Sequence, residues 1–464
     1  MRLEVVPGSF RDPSGFVYSR EGTLYRQVNR VFAGEYDAIV ASGLYEELAS
    51  AGLLVSHSIE SPALAATPDA HAVIRPERVP FVSYPYEWCF GQLKDAALAT
   101  LEVQQRALER GFALRDATAY NVQFRDGRPV LIDTLSLGRY EEGEPWIAYR
   151  QFCEHFLVPL ALMAYTDVRC GALQRQFLNG IPLDLGSRLL PARTRFSPAL
   201  ALHVHMHARA QQKYQHADVK QVAGGRRMSR AALKNLITSL QDAVAALDWR
   251  PAGTEWAEYV DNTNYTDQAH VAKRELVREF VAPLGARTAW DLGANVGVFS
   301  RVVRDAGVPT VLAFDIDPAA VERNHRDIRR SGEKGITPYL LDLTNPSPAQ
   351  GWAHEERMSI AERGPADVVL ALALVHHIAI SNNVPLERVA AYLARLGRSV
   401  IIEFVPKTDS QVKRLLTNRE DVFPTYTTDG FEAAFARHFT MAERRPIPES
   451  DRWLYLFHRR EATT

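Results

Sequence analysis

The sequence has little cysteine. Cys89, Cys153 and Cys170 are the three cysteines among 464 residues, and no two of them have a CxxC spacing. This pattern excludes a disulfide framework and gives no support to a thiolate zinc site. It is typical of a protein of the reducing cytoplasm, which is the location that the sequence predicts.

Long hydrophobic runs and an excess of charge are also missing. The most apolar stretches, residues 156–165 and 368–375, are far shorter than the ~20 residues that a membrane-spanning helix needs. Glu4 and Pro7 interrupt the start before any apolar core forms, so it does not resemble a secretory signal. With 54 basic and 55 acidic residues, we expect neither membrane nor nucleic-acid partners, although a balanced total can hide a local basic patch.

The composition is that of an ordinary globular protein, with 46% hydrophobic and 23% charged residues, and the length predicts two or three domains. Apolar periodicity lapses in the polar and glycine-containing stretch at about residues 209–230. We predict a first domain at residues 1–215, a linker and connecting helix at 216–255, and a second domain at 256–464.

In the second half, strand-like runs alternate with amphipathic helical runs. Such alternation predicts an α/β fold with a parallel, doubly wound sheet. The strand and helix candidates are residues 288–290 and 298–306, 310–314 and 318–328, 368–372 and 386–396, 399–404 and 411–416, and a last strand at 453–458.

A glycine turn follows the first of these strands. Asp291 precedes Gly293, Ala294, Asn295 and Gly297, and a helical run comes next. The glycines allow the backbone to approach a ligand closely. An acid beside the turn would repel a pyrophosphate but attract the cationic amino acid end of S-adenosylmethionine (SAM).

Further acids end the next two strand candidates. Asp315, followed by Ile316, lies about 20 residues beyond the turn, where a carboxylate accepts the ribose hydroxyls of a nucleotide. Asp342, followed by Leu343, stands where a carboxylate can accept the adenine amino hydrogen. Acids at successive strand ends would line one crevice of the sheet.

With these features, residues 262–458 resemble the class I SAM-dependent methyltransferases. Residues 291–297 match the first motif of that family, Phe314 and Asp315 match its ribose-binding strand end, and residues 367–372 match its fourth strand. The resemblance implies a Rossmann-like domain with SAM as cofactor. It also suggests that Tyr265, upstream of the turn, covers the cofactor.

Three residues are candidates for the chemistry of methyl transfer. His376 and His377 follow the fourth strand, where either imidazole is placed to act as a base, or both simply support the pocket as hydrogen-bonded loop residues. Glu403 ends the fifth strand, where it either orients the substrate or forms an ion pair with Lys407. The sequence leaves these alternatives open.

The first half resembles the protein-kinase and aminoglycoside-phosphotransferase fold. Asp116, Asn121 and Asp133 have the order of that family's catalytic Asp, magnesium-binding Asn and second metal-binding Asp. Residues 81–87 resemble its hinge, and residues 15–18 and 25–28 resemble two strands of its small lobe. The resemblance implies an α+β domain.

This half departs from the kinase pattern where phosphate is held. It has no GxGxxG loop, Arg26 stands where a lysine is expected, and Asp133 is followed by Thr134 and Leu135. Arginine does not replace a compact ammonium on phosphate. We therefore predict a degenerate kinase-like domain for substrate binding or scaffolding, with no metal; Asn121 and Asp133 would bind magnesium only in an active site.

The whole chain is similar to a family of bacterial two-part proteins described as SAM-dependent methyltransferases and sometimes as nodulation-related. That resemblance names a cofactor but no methyl acceptor. A non-catalytic SAM-binding regulator and a phosphotransferase using the first half are the alternatives. His203, His205 and His207 have the look of a metal tract, but on an α-helix only His203 and His207 share a face, so we predict no metal there.

Overall fold

The computed structural model describes residues 3–209, 228–251, 267–417 and 420–461. Its contacts divide the chain into two compact units: Met1–Arg250 with Gly351–Glu356, and Pro251–Gln350 with Arg357–Thr464. The division falls within the predicted linker and connecting segment. No helix in the described ranges is long and apolar enough to cross a membrane.

The first unit begins with an antiparallel sheet in the order β1-β2-β3-β5-β4, and two small two-stranded antiparallel sheets follow, one of β6 with β9 and one formed by the β7–β8 hairpin. Residues 15–18 and 25–28, which resemble two strands of the kinase small lobe, lie within β2 and β3. The bounds are β1 (Leu3–Val5), β2 (Gly15–Arg20), β3 (Thr23–Asn29), β4 (His57–Glu60), β5 (Ala70–Pro76), β6 (Phe112–Leu114), β7 (Val122–Arg125), β8 (Arg128–Leu131) and β9 (Leu137–Arg139).

The helices of this unit come mostly after the sheet. They are α1 (Ala33–Ser42), α2 (Leu44–Ser50), α3 (Phe90–Glu109), α4 (Tyr149–Phe152), α5 (Val158–Tyr165), α6 (Leu173–Gln176), α7 (Leu183–Leu189), α8 (Pro198–Leu200) and α9 (Arg230–Ala246). Short 3₁₀ turns lie at Arg30–Phe32, Pro62–Leu64, Pro85–Glu87, Ala119–Asn121, Thr134–Ser136, Val168–Ala172 and Ala192–Phe196, and π-helical turns at Cys153–Leu157 and Ala201–Met206.

The long helix α3 starts earlier than its sequence pattern predicts. Asp95 resembles an N-cap, but the helix begins at Phe90 because the Gln92 side chain accepts a hydrogen bond from the Cys89 backbone N–H at 3.0 Å. The predicted connecting helix is α9. It packs against α3 within the first unit, and Lys94 Nζ donates to the carbonyls of Ala245 and Leu247 at 2.8 and 2.6 Å, which caps its C-terminal end.

The second unit contains the predicted doubly wound sheet, in the order β12-β11-β10-β13-β14-β16-β15. The five strands β10–β14 pair in parallel, and β16 is antiparallel to both of its neighbours. The strands are β10 (Thr288–Leu292), β11 (Thr310–Asp315), β12 (Ile336–Leu340), β13 (Ala366–Ala371), β14 (Gly397–Phe404), β15 (Phe439–Pro446) and β16 (Trp453–Arg459).

The helices of the second unit connect these strands. They are α10 (Asp267–Val281), α11 (Val298–Asp305), α12 (Pro318–Ser331), α13 (Leu386–Leu396), α14 (Ser410–Leu416) and α15 (Thr428–Ala436), with 3₁₀ turns at Ala282–Leu284 and Trp352–His354 and a π-helical turn at His377–Ser381. Crossovers between parallel strands are right-handed, so α11 and α12 cover one face of the sheet and α13 covers the other.

Strand β10 is the topological switch point of this sheet. The chain leaves it towards β11 and β12 on one side, and later continues through β13 and β14 on the other. Apolar residues of β10, β11 and β13 are fully buried against the helices, among them Ala289, Val311 and Val368. In sheets of this kind a crevice opens outside the carboxyl ends of the strands at the switch point, so a ligand is expected there.

Candidate functional site

The glycine turn forms at the carboxyl end of β10. Gly293, Asn295 and Gly297 have φ angles of 75°, 51° and 79°, and the backbone N–H groups of Gly293 and Ala294 donate to the Phe314 carbonyl at 2.8 and 2.9 Å. A side chain at Gly297 would place its Cβ 2.5 Å from Asn324 Nδ2. The sequence therefore needs glycine at Gly297 for close packing, whereas Gly293 is exposed at the crevice.

Asp315, the last residue of β11, is hydrogen-bonded to this turn. One carboxylate oxygen accepts from the Asn295 N–H at 2.7 Å and the other from the Asp317 N–H at 2.9 Å. Burial raises the pKa of Asp315, whereas the bonds from the Asp317 and Asn295 amides oppose that rise. The two amides orient the carboxylate at the edge of the crevice predicted from the sequence.

Asp291 lies one residue before the end of β10 and is buried. Ser300 Oγ, on α11, donates to its carboxylate at 2.7 Å. Burial raises the pKa of Asp291 to about 6; nearby Asp315 also raises it, whereas the Ser300 bond and the positive charge of Lys273 lower it. A cationic ligand group is therefore expected to stabilise the ionised form of this buried carboxylate.

The remaining predicted cofactor residues lie in the loops at the same edge of the sheet. Asp342 comes two residues after β12, and its Oδ1 accepts from the Thr344 N–H and Oγ1 at 2.8 and 2.6 Å, which forms a turn. Leu343 is half-buried, Ala294 is buried, and Ile316 is exposed. Tyr265 lies outside the described residues.

His376 and His377 lie next to each other beyond β13, with ring centroids 4.1 Å apart. His376 is fully buried, and neither of its ring nitrogens has a hydrogen-bond partner among the described residues. Burial and the adjacent His377 lower the pKa of His376 well below its usual range, and burial lowers the pKa of His377. His376 is therefore a neutral imidazole, and it is not one of the hydrogen-bonded loop residues of the alternative interpretation.

The ion pair predicted between Glu403 and Lys407 does not form. Glu403 is fully buried and pairs with Lys273 Nζ at 2.5 Å and Arg452 Nη1 at 3.0 Å. Lys407 instead bonds to the carboxylate of Asp421. That alternative considered only a lysine near Glu403 in sequence, whereas the cations that pair with Glu403 lie on α10 and in the turn before β16.

The sequence analysis missed Lys273 and Arg452. Both are almost fully buried, and Arg452 Nε also donates to Asp409 Oδ2 at 2.8 Å. Lys273 had a detectable signal, since it occupies the apolar stripe of α10 between buried Ala269 and Val277. Arg452 lies in a turn, and no comparable periodic signal marks it. Lys273 also interacts electrostatically with Asp291, and it thereby connects the Glu403 ion pairs to the glycine-turn site.

The predicted acidic and amide residues of the first unit converge, but with an arginine among them. Arg26 Nη1 on β3 lies 2.7 Å from Asp133 Oδ1, just beyond β8. Burial raises the pKa of Asp116, and the charge of Asp133 raises it further, whereas Asn121 lowers it by hydrogen bonding. Among the described residues, no group of three His, Cys, Asp or Glu side chains has the arrangement of a metal site.

The histidine tract keeps the predicted shared face of His203 and His207, since both rings lie against Tyr149, with centroids 5.9 and 5.2 Å away. His203 and His205 lie in the π-helical turn Ala201–Met206 and are buried, and His207, just after it, is half-buried. His203 is hydrogen-bonded to Tyr149 and Ser239, so its nitrogens are committed within the protein.

The chain is similar along almost its whole length to a curated bacterial protein. It is 38% identical over 463 residues to the nodulation protein NoeA of Rhizobium meliloti strain 1021, covering 98% of this chain and 96% of that protein. The chain belongs to the NoeA family. The nodulation-related resemblance in the sequence is thereby confirmed. No protein-family model matches this member of the NoeA family.

Among solved structures, methyltransferases are similar to part of this NoeA-family chain. The N-methyltransferase NodS from Bradyrhizobium japonicum WM9 in complex with S-adenosyl-L-homocysteine (SAH) is 10% identical, covers 45% of this chain and 100% of its own, and has a TM-score of 0.33. The magnesium protoporphyrin IX methyltransferase ChlM from Synechocystis PCC 6803 with bound SAH is 16% identical, covers 44% and 94%, and has a TM-score of 0.31. Scores this low carry no argument, so the doubly wound fold rests on the strand order itself.

Gly293 provides a steric test of the crevice. We expect Gly293→Val to abolish ligand binding there, because a branched side chain would project beside Leu374 at the exposed turn from a backbone with φ of 75°. Calorimetric titration with SAM measures the loss. Gly332→Val is the matched control, since Gly332 has φ of 72° and no atom within 4 Å of an added Cβ. Near-native affinity in a folded Gly293→Val protein would place the ligand elsewhere.

Proposed function

We propose that the second unit is a SAM-dependent methyltransferase domain that transfers a methyl group to an acceptor. The observation that carries this proposal is the hydrogen bond from the Asn295 N–H to the Asp315 carboxylate, at 2.7 Å. It joins the glycine turn to a strand-end acid beside the switch point, where sheets of this kind bind nucleotides. The resemblance to class I methyltransferases supports the same cofactor.

The side chains at this crevice fit SAM. Asp315 has acceptor oxygens for ribose hydroxyls, and its two backbone amide partners keep the carboxylate in one orientation. The ionised form of Asp291 is a counter-charge for the cofactor's ammonium group. Gly293 leaves room for the methionine portion. Asp342, with Leu343 beside it, is our candidate for the adenine amino group, and Ile316 for an apolar contact near the ribose.

When bound, SAM supplies an electrophilic methyl group for an in-line displacement. The protein's contribution is to position the acceptor and exclude water. His376 is our candidate for receiving a proton from the acceptor, because its buried imidazole is neutral and its ring nitrogens are unpaired within the described chain. Glu403 acts by holding Lys273 and Arg452 beside the histidines, and both of its oxygens are occupied by these cations.

A role in binding or scaffolding is proposed for the first unit, as its departures from the kinase pattern suggest. The Arg26–Asp133 ion pair supports this role. The Arg26 guanidinium is paired with an oxygen of the Asp133 carboxylate, which would have to bind magnesium in a phosphotransferase. Asp12 lies 3.7 Å from the same arginine. The cytoplasmic location stays a prediction.

Magnesium ATP tests this proposal for the first unit. We expect it to leave the thermal unfolding temperature of the full-length protein unchanged, because Arg26 competes with metal for Asp133 and no glycine loop holds the phosphates. Thermal-shift titration of wild type and Asp133→Ala measures the effect. A large stabilisation that disappears in Asp133→Ala would favour the phosphotransferase alternative, since a bound ligand raises stability by mass action.

The cofactor proposal is tested by native mass spectrometry and calorimetry of the purified protein. We expect SAM or SAH to copurify with it or to bind on addition, with competition between the two. Absence of binding at millimolar concentrations would reject the proposed function. Asp327→Ala serves as a control variant. It removes an exposed acid that pairs with Arg330 and should leave SAM binding unchanged.

Detection of reaction products distinguishes catalysis from cofactor binding alone. With SAM and a small-molecule extract, a methyltransferase releases SAH and forms a methylated compound, both of which mass spectrometry detects. A regulatory SAM-binding protein forms neither. His376→Gln should reduce product formation without a comparable loss of SAM affinity if the histidine acts on the acceptor.

A further inference from the structure

The helical segment from Pro198 to Arg209 has an unusual distribution of side chains. Its histidines point inward: His203 is hydrogen-bonded to Tyr149 at 2.8 Å and Ser239 at 2.9 Å, and His205 to Ser187 at 2.8 Å and Thr194 at 2.9 Å. Every ring nitrogen of these two buried histidines therefore has a partner. Histidine side chains often face water, but these two are hydrogen-bonded inside the first unit.

Apolar side chains occupy the outer face instead. Leu202 is 48% exposed and Met206 is 59% exposed, and Phe196, just before the segment, is 87% exposed. Leu202 and Met206 are four residues apart and lie on one side of the helix. Single exposed apolar residues are ordinary, but a row of them on a helix with a polar inner face indicates an interaction surface.

Three arginines lie in the same stretch of the chain as this row. Arg193, Arg195 and Arg209 are exposed, and Arg193 lies over the ring of Tyr165 with its guanidinium carbon 5.9 Å from the centroid. No Asp or Glu occurs from residue 185 to residue 209. Asp167 and Asp184, which precede this stretch in the chain, are each paired with an arginine. Asp242, on α9, lines a groove together with Leu202, so one acid lies beside the apolar row. The stretch itself is apolar and basic.

We propose that Phe196, Leu202 and Met206, with Arg193, Arg195 and Arg209, form a docking surface for an anionic lipid bilayer. Apolar side chains enter the boundary between headgroups and acyl chains, while arginines remain at the headgroups. Binding of this kind is peripheral. The proposal departs from our expectation of no membrane partner, which rested on the balanced net charge, because the charge that matters for such binding is local.

Two other occupants fit the face less well. A second copy related by two-fold symmetry would bring the same arginines against each other, with no acid between residues 185 and 209 to neutralise them. A stable protein partner typically covers about 800 Å² on each side. Three apolar side chains provide only a small part of such an area, whereas a bilayer accepts a small set of inserted side chains together with basic residues.

Vesicle sedimentation of the full-length protein tests the proposal. The probes are phosphatidylcholine vesicles with and without phosphatidylglycerol, at low and high salt. We expect binding only to the anionic vesicles, weakened by salt, and at least a tenfold lower partition coefficient for Phe196→Ser and for Arg195→Gln with Arg209→Gln. Val31→Ser is the control, since Val31 is 74% exposed and lies in the turn after β3, outside residues 193–209.

Thermal unfolding first verifies that each variant is folded, which is expected because the substituted side chains are exposed. Equal vesicle binding by wild type and Phe196→Ser would overturn the proposal. So would no binding to anionic vesicles. A concentration-dependent dimer in analytical ultracentrifugation that Phe196→Ser abolishes, without vesicle binding, would assign the face to a second copy instead.

Discussion

Asp315→Ala is expected to weaken SAM binding by roughly 2–3 kcal/mol, which is about 30- to 150-fold in Kd. The carboxylate is held by the N–H groups of Asn295 and Asp317, so it is already oriented before the ribose hydroxyls donate to it. Alanine removes this acceptor and also releases the two amides. Isothermal calorimetry with SAM and SAH measures the loss.

The controls for Asp315 separate a lost contact from a damaged fold. Asp317→Ala removes the side chain that caps α12 through the Ala319 N–H at 2.9 Å, so it should lower stability by about 1 kcal/mol while reducing affinity less. Circular dichroism and thermal unfolding check both proteins. An Asp315→Ala protein that is folded and binds SAM like wild type would remove Asp315 from the site.

Asp291→Asn is expected to have opposite effects on binding and on stability. Loss of the counter-charge should weaken SAM binding by about 10- to 100-fold, since hydrogen bonds to charged groups contribute ~1.5–3 kcal/mol. Removal of a buried charge should, however, favour the fold at neutral pH. The Ser300 hydroxyl retains an acceptor in the amide oxygen of the variant.

The pH dependence of stability provides the sharper measurement. The folded-state pKa of Asp291, about 6, lies above its ordinary value of 3.8, so the folded protein binds the proton more tightly than the unfolded chain. Protonation of Asp291 therefore stabilises the folded wild-type protein. This stabilisation is complete below pH 3.8 and is lost as pH rises towards 6. Between pH 4 and pH 7 the unfolding free energy of Asp291→Asn, relative to wild type, should therefore rise by roughly 2–3 kcal/mol.

The change with pH in the unfolding free energy of Asp291→Asn relative to wild type does not depend on any constant, pH-independent effect of the new amide. Urea unfolding of both proteins at several pH values gives the two curves, and parallel curves would show that Asp291 titrates normally. In wild type, SAM affinity should also fall below about pH 6, as the carboxylate takes up its proton. A flat affinity profile from pH 5 to pH 8 would contradict the counter-charge role.

The second half of the fold was largely predictable because its signals are local. Periodicity located β10, β11, β13, β14 and β16, and the helix at residues 386–396 was predicted with the bounds that the structure has. We did not predict β15 or α15. Most side chains of β15 are exposed or half-buried, and they include Glu443 and two arginines. The pattern therefore resembles a solvated loop, and the strand conformation depends on pairing with β16.

The first half was harder to predict because its strands are short and its helices irregular. The β7–β8 hairpin lies between Asn121 and Asp133, where the resemblance to the kinase fold implies a short hairpin. The π-helical turn at Ala201–Met206 has no recognised local signal. The exposure of Leu202 and Met206 depends on which side of this segment packs against the rest of the first unit, and local periodicity does not reveal that side.

The sequence by itself determined the turn chemistry and strand-end acids of the candidate cofactor site, because glycine spacing and strand periodicity are properties of neighbouring residues. Only the tertiary structure decided which charges meet. Glu403 pairs with Lys273 and Arg452, and Asp133 with Arg26, through contacts between elements distant in the chain. A buried carboxylate needs a partner, but its identity is decided by the packing that brings strands and helices together.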